Sequence, residues 1–180
     1  MKNIALFGGS FDPPHLGHVK IVEALKSLDF IDKIIIMPTY LNPFKSNFVA
    51  QADTRLKWLK DIFQDYQNVE VSSFEIEQKT KVPTIQTVHH LKQEYDTIYL
   101  VIGADNLASL KKWYKYDELK TLVTFIVVSR DGIDIPKKYQ RLEVNIPISS
   151  TTLRTSIDPK FLPSKIAKKI KNYYKEHNGK

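Results

Sequence analysis

Near its amino terminus the chain reads Ile4-Ala5-Leu6-Phe7-Gly8-Gly9-Ser10-Phe11-Asp12-Pro13-Pro14-His15-Leu16-Gly17-His18. The apolar run that ends in glycine predicts a short buried strand over Ile4–Gly9. From about Leu16 to Leu28 the apolar residues recur at helical spacing, which predicts an amphipathic helix after the turn. A turn that leads into a helix N-terminus presents unpaired N–H groups and partial positive charge, so this stretch favours phosphate binding.

A second strand is predicted at Lys33–Thr39, a β-branched run that Pro38 stops. Strand, helix and strand in this order imply parallel strands joined by a right-handed crossover. Further strands are predicted at Val69–Ile76, Ile98–Gly103, Thr124–Ser129 and Leu142–Ile148. Further helices are predicted from an N-cap at Asp53, from a cap at Thr84, over Leu107–Leu122 with a break near Lys111–Tyr114, from Ser149, and from Leu162 onward.

This alternation of strands and helices predicts a doubly wound, Rossmann-like α/β fold. The sheet is expected to be mostly parallel, with helices on both faces. The length of 180 residues suits a single domain with a full core. We therefore expect one domain over residues 1–180, with a helical segment of about residues 160–180 packed on it.

The amino-acid composition excludes several classes of protein. The chain has no cysteine, which rules out disulfides, cysteine-bound zinc and thiol catalysis. No apolar run approaches the roughly 20 residues needed to span a bilayer, and no signal-peptide core precedes the first strand. We therefore expect a cytoplasmic protein that does not use a membrane.

The charge is strongly basic, at +7 from 27 Lys and Arg against 20 Asp and Glu, and much of the excess lies in residues 160–180. Such a surplus favours nucleic acid, an acidic membrane or a phosphorylated small molecule as partner. For the tail alone, a solvated basic helix is the simpler interpretation. Because the chain lacks the signatures of RNA- and DNA-binding modules, nucleic acid is not expected as a partner.

Candidate site residues follow four of the predicted strands, in the segments Gly8–His18, Pro38–Lys45, Gly103–Asp105 and Ser149–Arg154. Open α/β sheets bind ligands beyond the carboxyl ends of their strands, so these segments should converge on one edge of the sheet.

The histidines of the first segment, His15 and His18, are three residues apart and should lie on one face of the first helical turn. There they would donate hydrogen bonds to phosphate oxygens. The alternative for such a pair is one capping and one packed histidine. A zinc site is disfavoured because no third ligand is evident.

Two motifs then make the prediction specific. Gly8–His18 and Ile148-Ser149-Ser150-Thr151-Thr152-Leu153-Arg154, about 130 residues later, together resemble the signature of the HxGH nucleotidyltransferase superfamily. Within it, residues 4 to about 155 are similar to the bacterial nicotinate-nucleotide adenylyltransferases. The narrower resemblance rests on the Phe-Asp-Pro-Pro form of the first motif and on the segments Pro38–Lys45, Thr84–Thr87 and Gly103–Trp113.

The resemblance implies an enzyme that transfers the adenylyl group of ATP to nicotinate mononucleotide. The products would be deamido-NAD and pyrophosphate, and Mg²⁺ would enter with ATP, with few protein ligands and no assigned metal-binding residue. Alternatives are a nicotinamide mononucleotide or phosphopantetheine acceptor, and a non-catalytic nucleotide-sensing protein. The chain is expected to be a monomer or a homodimer.

The resemblance also implies roles for individual residues. His18 is expected to contact the α-phosphate and His15 the neighbouring oxygens, as the two catalytic residues. The remaining ATP- and phosphate-binding residues are expected to be Gly8, Gly9, Ser10, Phe11, Lys45, Ser150, Thr151 and Arg154. The acceptor is expected to contact Asn42, Thr84, Gly103, Ala104, Asp105 and Trp113. Of these, Thr84 would bind the pyridine carboxylate, Asp105 the ribose and Trp113 the pyridine ring. Ser129-Arg130-Asp131-Gly132 departs from the Arg-Pro-Gly common in the family, which leaves the role of Arg130 near adenine open.

Overall fold

The computed structural model describes residues 2–41 and 50–178, and its strands form one six-stranded sheet. The strands are β1 (Asn3–Gly9), β2 (Lys33–Pro38), β3 (Val69–Val71), β4 (Thr97–Gly103), β5 (Thr124–Val128) and β6 (Gln140–Leu142). Their order across the sheet is β3-β2-β1-β4-β5-β6, and every neighbouring pair is parallel. The predicted doubly wound α/β fold is therefore confirmed.

The helices in the described part of the chain are α1 (Leu16–Lys26), α2 (Ala52–Phe63), α3 (Phe74–Glu77), α4 (Thr84–Leu91), α5 (Tyr116–Leu122), α6 (Ser150–Thr155) and α7 (Ala167–Asn178). Short 3₁₀ turns lie at Ala104–Asn106, Leu110–Lys112 and Pro159–Phe161. Among these residues, no helix has the length and apolar character needed to cross a membrane.

Side chains on the two faces of the sheet belong to two separate buried clusters, as the two-residue period of a strand requires. Ile4 and Leu6 face one side, where Ile85, Val88 and Leu91 of α4 and Leu119 of α5 cover them. Ala5 and Phe7 face the other side, where Ile21, Val22 and Leu25 of α1 and Leu59 and Phe63 of α2 pack. Each large apolar side chain buried in this way contributes about 1.5–3 kcal/mol, so both helix layers hold the sheet in place.

The last helix, α7, packs through a third cluster that is built on Trp58 of α2. Ile166, Ile170 and Tyr174 are fully buried there, beside Leu153 of α6. The neighbouring Tyr173 is only half-buried, so Tyr174 is the more deeply buried of the two tyrosines. Ile166, Ile170 and Tyr174 are spaced at i, i+4 and i+8, so they lie on the same face of the helix, and this spacing explains why Tyr174 is the buried tyrosine.

Two predicted strands are shorter than expected. The prediction of a strand over Val69–Ile76 is wrong beyond Val71, because the Ser72 hydroxyl accepts the Phe74 N–H and the chain then begins α3. The prediction over Leu142–Ile148 is also wrong, since β6 ends at Leu142. Beyond it, the Ser129 hydroxyl takes the Val144 N–H that a strand ladder would have used.

Two predicted helix caps are displaced. Gln51, and not Asp53, occupies the N-cap of α2, while Asp53 lies in the first turn, where its charge still favours the helix dipole. Pro83 is extended and occupies the N-cap of α4, so Thr84 is the first helical residue. The predicted break before α5 is confirmed, and Lys115, with φ of 52°, marks it.

Candidate active site

The sheet order reverses between the neighbouring strands β1 and β4, and a cavity of about 300 Å³ lies at the ends of these strands. Such reversal points are where open α/β sheets bind ligands. The predicted site residues that line it are Gly8, Gly9, His15, His18, Thr84, Gly103, Asp105 and Trp113. Thr39, Glu75, Thr87 and Arg130 line it as well. Because Thr84, Gly103, Asp105 and Trp113 are predicted contacts of the acceptor, we call this space the acceptor cavity.

A second cavity of about 320 Å³ lies between the end of β5 and the start of α6, and we call it the β5–α6 cavity. Its lining includes Ser129, Arg130, Asn145, Ile148, Ser149 and Thr152. Because Arg130 and Ile146 line both cavities, the two spaces adjoin. The arrangement offers space for two ligands side by side, with the Arg130 side chain on the wall of both spaces.

The two histidines form the N-terminal cap of α1. The Nδ1 atom of His15 accepts the Gly17 N–H at 3.0 Å, and the Nδ1 atom of His18 accepts the His15 N–H at 3.1 Å. The rings stack with centroids 3.8 Å apart. Since each Nδ1 is an acceptor, the proton is assigned to Nε2 in both rings. The capping alternative and the functional prediction are thus compatible, because one nitrogen of each ring fixes the ring and leaves the other to donate.

Burial and the nearby Arg130 lower the pKa of His15 to about 4. The pKa of His18 also lies well below its ordinary value, chiefly because the ring is buried and further because His15 and Arg130 are nearby. Both imidazoles are therefore neutral at neutral pH in the free protein. A neutral Nε2–H still donates a hydrogen bond to a phosphate oxygen, and an arriving anion raises the histidine pKa.

Gly17 allows the histidine cap to form. A Cβ atom at this position would lie 2.5 Å from Ile146 Cγ2 and 2.7 Å from His15 Cε1. Only glycine lets the His15 ring and Ile146 close over the start of α1.

The second motif contacts the first directly. Arg154 Nη1 donates to the Asp12 carbonyl at 2.7 Å, and the Ser150 hydroxyl donates to the Pro13 carbonyl at 2.8 Å. Thr151 Oγ1 accepts from Arg154 Nη2 at 3.4 Å. Ser149 caps α6 through the Thr152 N–H. Ser150 and Arg154 therefore brace the turn after β1, and Thr151 contacts Arg154. The residues of this segment that line the β5–α6 cavity are Ser149 and Thr152.

Ser10 and Phe11 lie in that turn, and contacts with Arg55 and His18 hold them in position. Phe11 is buried, has φ of 51° and packs edge-on against the His18 ring with centroids 4.7 Å apart. The Ser10 carbonyl accepts a hydrogen bond from Arg55 Nη1 at 2.7 Å.

Two further predicted site residues follow β4. Ala104 is buried, and Asp105 Oδ1 lies 4.0 Å from Arg130 Nε. The predicted site residues Asn42 and Lys45 lie outside the described residues.

Sequence reasoning missed three buried polar residues around this site, namely Arg55, Glu75 and Tyr174. Arg55 is only 1% exposed and donates to the carbonyls of Ser10, Thr39, Tyr40 and Ala50. Its signal was its position on the apolar face of α2, at helical spacing from Trp58 and Leu59. Glu75 and Tyr174 carried no comparable signal, because their partners lie on other elements.

Residues 6–156 match the family model described as cytidylyltransferase-like. A protein of Sulfurimonas denitrificans named nicotinate-nucleotide adenylyltransferase is 58% identical over 180 residues, covering 100% of this chain and 99% of the relative. A protein of the same name from Campylobacter fetus is 49% identical over 99% of each chain. The chain belongs to the nicotinate-nucleotide adenylyltransferase family.

A solved structure supports the fold independently. The Plasmodium falciparum nicotinic acid mononucleotide adenylyltransferase, complexed with NaAD, superposes with a TM-score of 0.75 at 23% identity. The match covers 99% of this chain and 97% of the Plasmodium chain. This likeness supports the fold, and the two bacterial relatives confirm the resemblance to the family that the sequence implied.

Proposed function

We propose that this nucleotidyltransferase joins the adenylyl group of ATP to nicotinate mononucleotide, giving deamido-NAD and pyrophosphate in NAD biosynthesis. The observation that carries the proposal is the pair of adjoining cavities, with His18 and Arg130 on the wall of the acceptor cavity and Arg130 shared by both. Two nucleotides placed in these spaces bring their phosphates together beside neutral and cationic donors. That is the arrangement that adenylyl transfer requires.

The chemistry is an in-line displacement at the α-phosphorus of ATP. An oxygen of the acceptor 5′-phosphate forms the new bond to phosphorus while the bond to the bridging oxygen of pyrophosphate breaks. The acceptor oxygen is already anionic, so no covalent enzyme nucleophile is needed. The protein supplies position and charge stabilisation, as in other phosphoryl transfers.

The histidine cap supports a direct role at the reacting phosphate. Nε2–H of His18 is the donor for the α-phosphate oxygens, where charge builds in the transition state, and Nε2–H of His15 serves the neighbouring oxygens. Both donors are held by the backbone N–H groups on Nδ1 and by ring stacking, so they need little reorganisation. The backbone of Gly8, Gly9, Ser10 and Phe11 would approach the same phosphates.

The remaining roles follow the two cavities. ATP would occupy the β5–α6 cavity, with Arg130 near the adenosine. Ser150, Thr151 and Arg154, which are neighbours in sequence of the lining residues Ser149 and Thr152, would bind the outer phosphates at the start of α6. In the acceptor cavity, Trp113 would stack on the pyridine ring, Thr84 at the start of α4 would bind its carboxylate, and Asp105 the ribose, with Gly103 and Ala104 beside it. Lys45 and Asn42 remain predicted contacts from outside the described residues.

Mg²⁺ is part of the proposal as an ion that enters on ATP. It commonly binds through substrate phosphates, one or two carboxylates and water. Across residues 2–41 and 50–178, no three His, Cys, Asp or Glu side chains are grouped so as to hold a metal ion. The Asp12 carboxylate is occupied by the Ala50 N–H and by Tyr174. These residues fit an ion held mainly by the triphosphate, where it would neutralise charge on the leaving pyrophosphate.

The proposal is tested by pyrophosphate release from ATP with three acceptors in parallel: nicotinate mononucleotide, nicotinamide mononucleotide and phosphopantetheine. We expect the highest kcat/KM with nicotinate mononucleotide. Turnover of phosphopantetheine alone, or of none of the three, would overturn the proposal. Whether the enzyme works as a monomer or a homodimer, and in the cytoplasm as expected, is measured separately by sedimentation and by cell fractionation.

A further inference from the structure

The acceptor cavity contains a buried carboxyl group that the phosphate chemistry does not use. Glu75 lies on α3, lines the cavity and is 7% exposed. Its Oε1 accepts a hydrogen bond from the Thr87 hydroxyl at 2.6 Å. In the described part of the chain, Thr87 is the one side chain that bonds this carboxyl group. A carboxyl group is seldom buried with so little compensation unless a ligand or a proton completes its environment.

The position of Glu75 relates it to the pyridine end of the cavity. Its partner Thr87 lies on α4, one helical turn after Thr84, and both threonines line the cavity together with Trp113. Residues three apart on a helix share a face. Glu75 is therefore grouped with the residues proposed to bind the pyridine ring and its substituent.

The charge of Glu75 can change near neutral pH. Burial raises the pKa of its carboxyl group to about 7, and the Thr87 hydroxyl offsets only part of this effect. Both forms are then populated in the physiological range. The neutral form donates a hydrogen bond to a carboxylate. The ionised form repels a carboxylate and accepts a hydrogen bond from a carboxamide N–H.

We propose that Glu75 is a specificity-determining residue, whose charge decides how strongly the enzyme prefers a pyridine carboxylate to a pyridine carboxamide as acceptor. Protonated Glu75 favours nicotinate mononucleotide. Ionised Glu75 reduces that preference, because two negative charges then share one cavity. The inference rests on the proposed function and adds to it a reason why acceptor choice depends on pH.

Other titratable groups face the same space and must be separated from Glu75. His15 and His18 of α1, Asp105 after β4 and Arg130 after β5 line the cavity, and His90 of α4 stacks on the neighbouring Phe74 with centroids 3.9 Å apart. These groups, the phosphates of ATP and the acceptor 5′-phosphate are common to reactions with both acceptors. A change in their charge therefore affects both kcat/KM values alike and largely drops out of the ratio of the two.

The test measures this ratio, nicotinate mononucleotide over nicotinamide mononucleotide, from about pH 6 to about pH 8, on both sides of the Glu75 pKa. The wild-type ratio is expected to fall by about tenfold as pH rises, the change produced by about 1.4 kcal/mol of repulsion. Glu75→Gln keeps the shape and a donor but does not ionise, so its ratio should stay flat and favour nicotinate. Glu77→Gln, on the exposed side of α3, is the matched control and should keep the wild-type profile.

The possible outcomes separate the role of Glu75 from the proposed function. A flat wild-type ratio, or the same fall in Glu75→Gln as in the wild type, would overturn the role of Glu75 and leave the proposed function standing. The wild-type profile alone is informative if Glu75→Gln does not fold. Absence of turnover with both acceptors would overturn the proposed function and this inference with it.

Discussion

Tyr174 in the last helix donates a hydrogen bond to Oδ1 of Asp12, in the turn that follows the first strand. The two residues are 162 positions apart and both are buried. The Ala50 N–H donates to the same oxygen at 3.0 Å. Burial and the Asp12 charge raise the pKa of Tyr174, so its hydroxyl keeps the proton that it donates. The basic C-terminal helix is therefore a structural support of the phosphate-binding turn.

Replacing Tyr174 by Phe should weaken this support. The variant keeps the ring packing on Trp58 and removes one donor from a buried carboxylate, which should cost about 1–3 kcal/mol of unfolding free energy. Urea unfolding measures the loss, and kcat/KM for ATP should fall because the turn loses its position. Tyr173→Phe is the matched control, since the Tyr173 hydroxyl accepts the exposed Gln51 N–H at 3.3 Å and does not contact Asp12. Equal effects of the two substitutions would contradict the account.

Arg55 should not tolerate substitution by lysine. Its guanidinium bonds four carbonyl groups, on the turn after β1, after β2 and at Ala50, and an ammonium group cannot reach them all. Arg55→Lys is expected to lower the unfolding free energy by about 3 kcal/mol or more, because buried acceptors lose their donors. Arg141→Lys, at an exposed pair with Glu143, should change it by less than about 0.5 kcal/mol. A loss at Arg55 as small as that at Arg141 would refute this role.

Acid should destabilise the fold through His15. Its folded pKa of about 4 lies below the unfolded value of 6.5, so the unfolded state binds more protons between these pH values. The stability contributed by neutral His15 is present above pH 6.5 and is lost as pH falls toward 4. The loss amounts to about 3 kcal/mol, and His18 acts in the same direction.

The measurement is the unfolding free energy against pH for the wild type and for His15→Asn, in which asparagine retains a capping side chain. The difference between the two curves isolates His15. This matters because Glu75, with a raised pKa, contributes stability that is lost as pH rises through about 7. His177→Asn, at an exposed site, should leave the acid slope unchanged. If His15→Asn keeps the full acid slope, His15 is not the group responsible.

His18→Ala should lower kcat by about 10²–10³-fold, the typical effect of removing one donor to a transition-state oxyanion. The fold should survive with a modest loss, since the substitution also removes the acceptor for the His15 N–H. Steady-state kinetics and thermal unfolding separate the two effects. His89→Ala, on the exposed side of α4, is the control and should retain normal kcat. A near-normal kcat in His18→Ala would remove His18 from the mechanism.

The sequence predicted the sheet and the convergence of its loops well, because buried parallel strands and the histidine motif are local patterns. The sequence did not predict hydrogen bonds between residues that lie far apart along the chain. Nothing near Tyr174 indicates that its hydroxyl meets Asp12, and nothing near Glu75 indicates that Thr87 completes its only side-chain bond in the described structure. The error at Val69–Ile76 is different in kind, since alternating residues resembled a strand until the Ser72 hydroxyl ended it.

The central claim is that the bond broken lies between the α-phosphorus and pyrophosphate, and that the adenylyl group moves to nicotinate mononucleotide. It is tested most directly with ATP carrying a radiolabel at either the α- or the γ-phosphate. The account predicts that the α-label appears in the dinucleotide and the γ-label in pyrophosphate. A γ-label found on the acceptor nucleotide, or α-label released as free AMP with no dinucleotide, would contradict it.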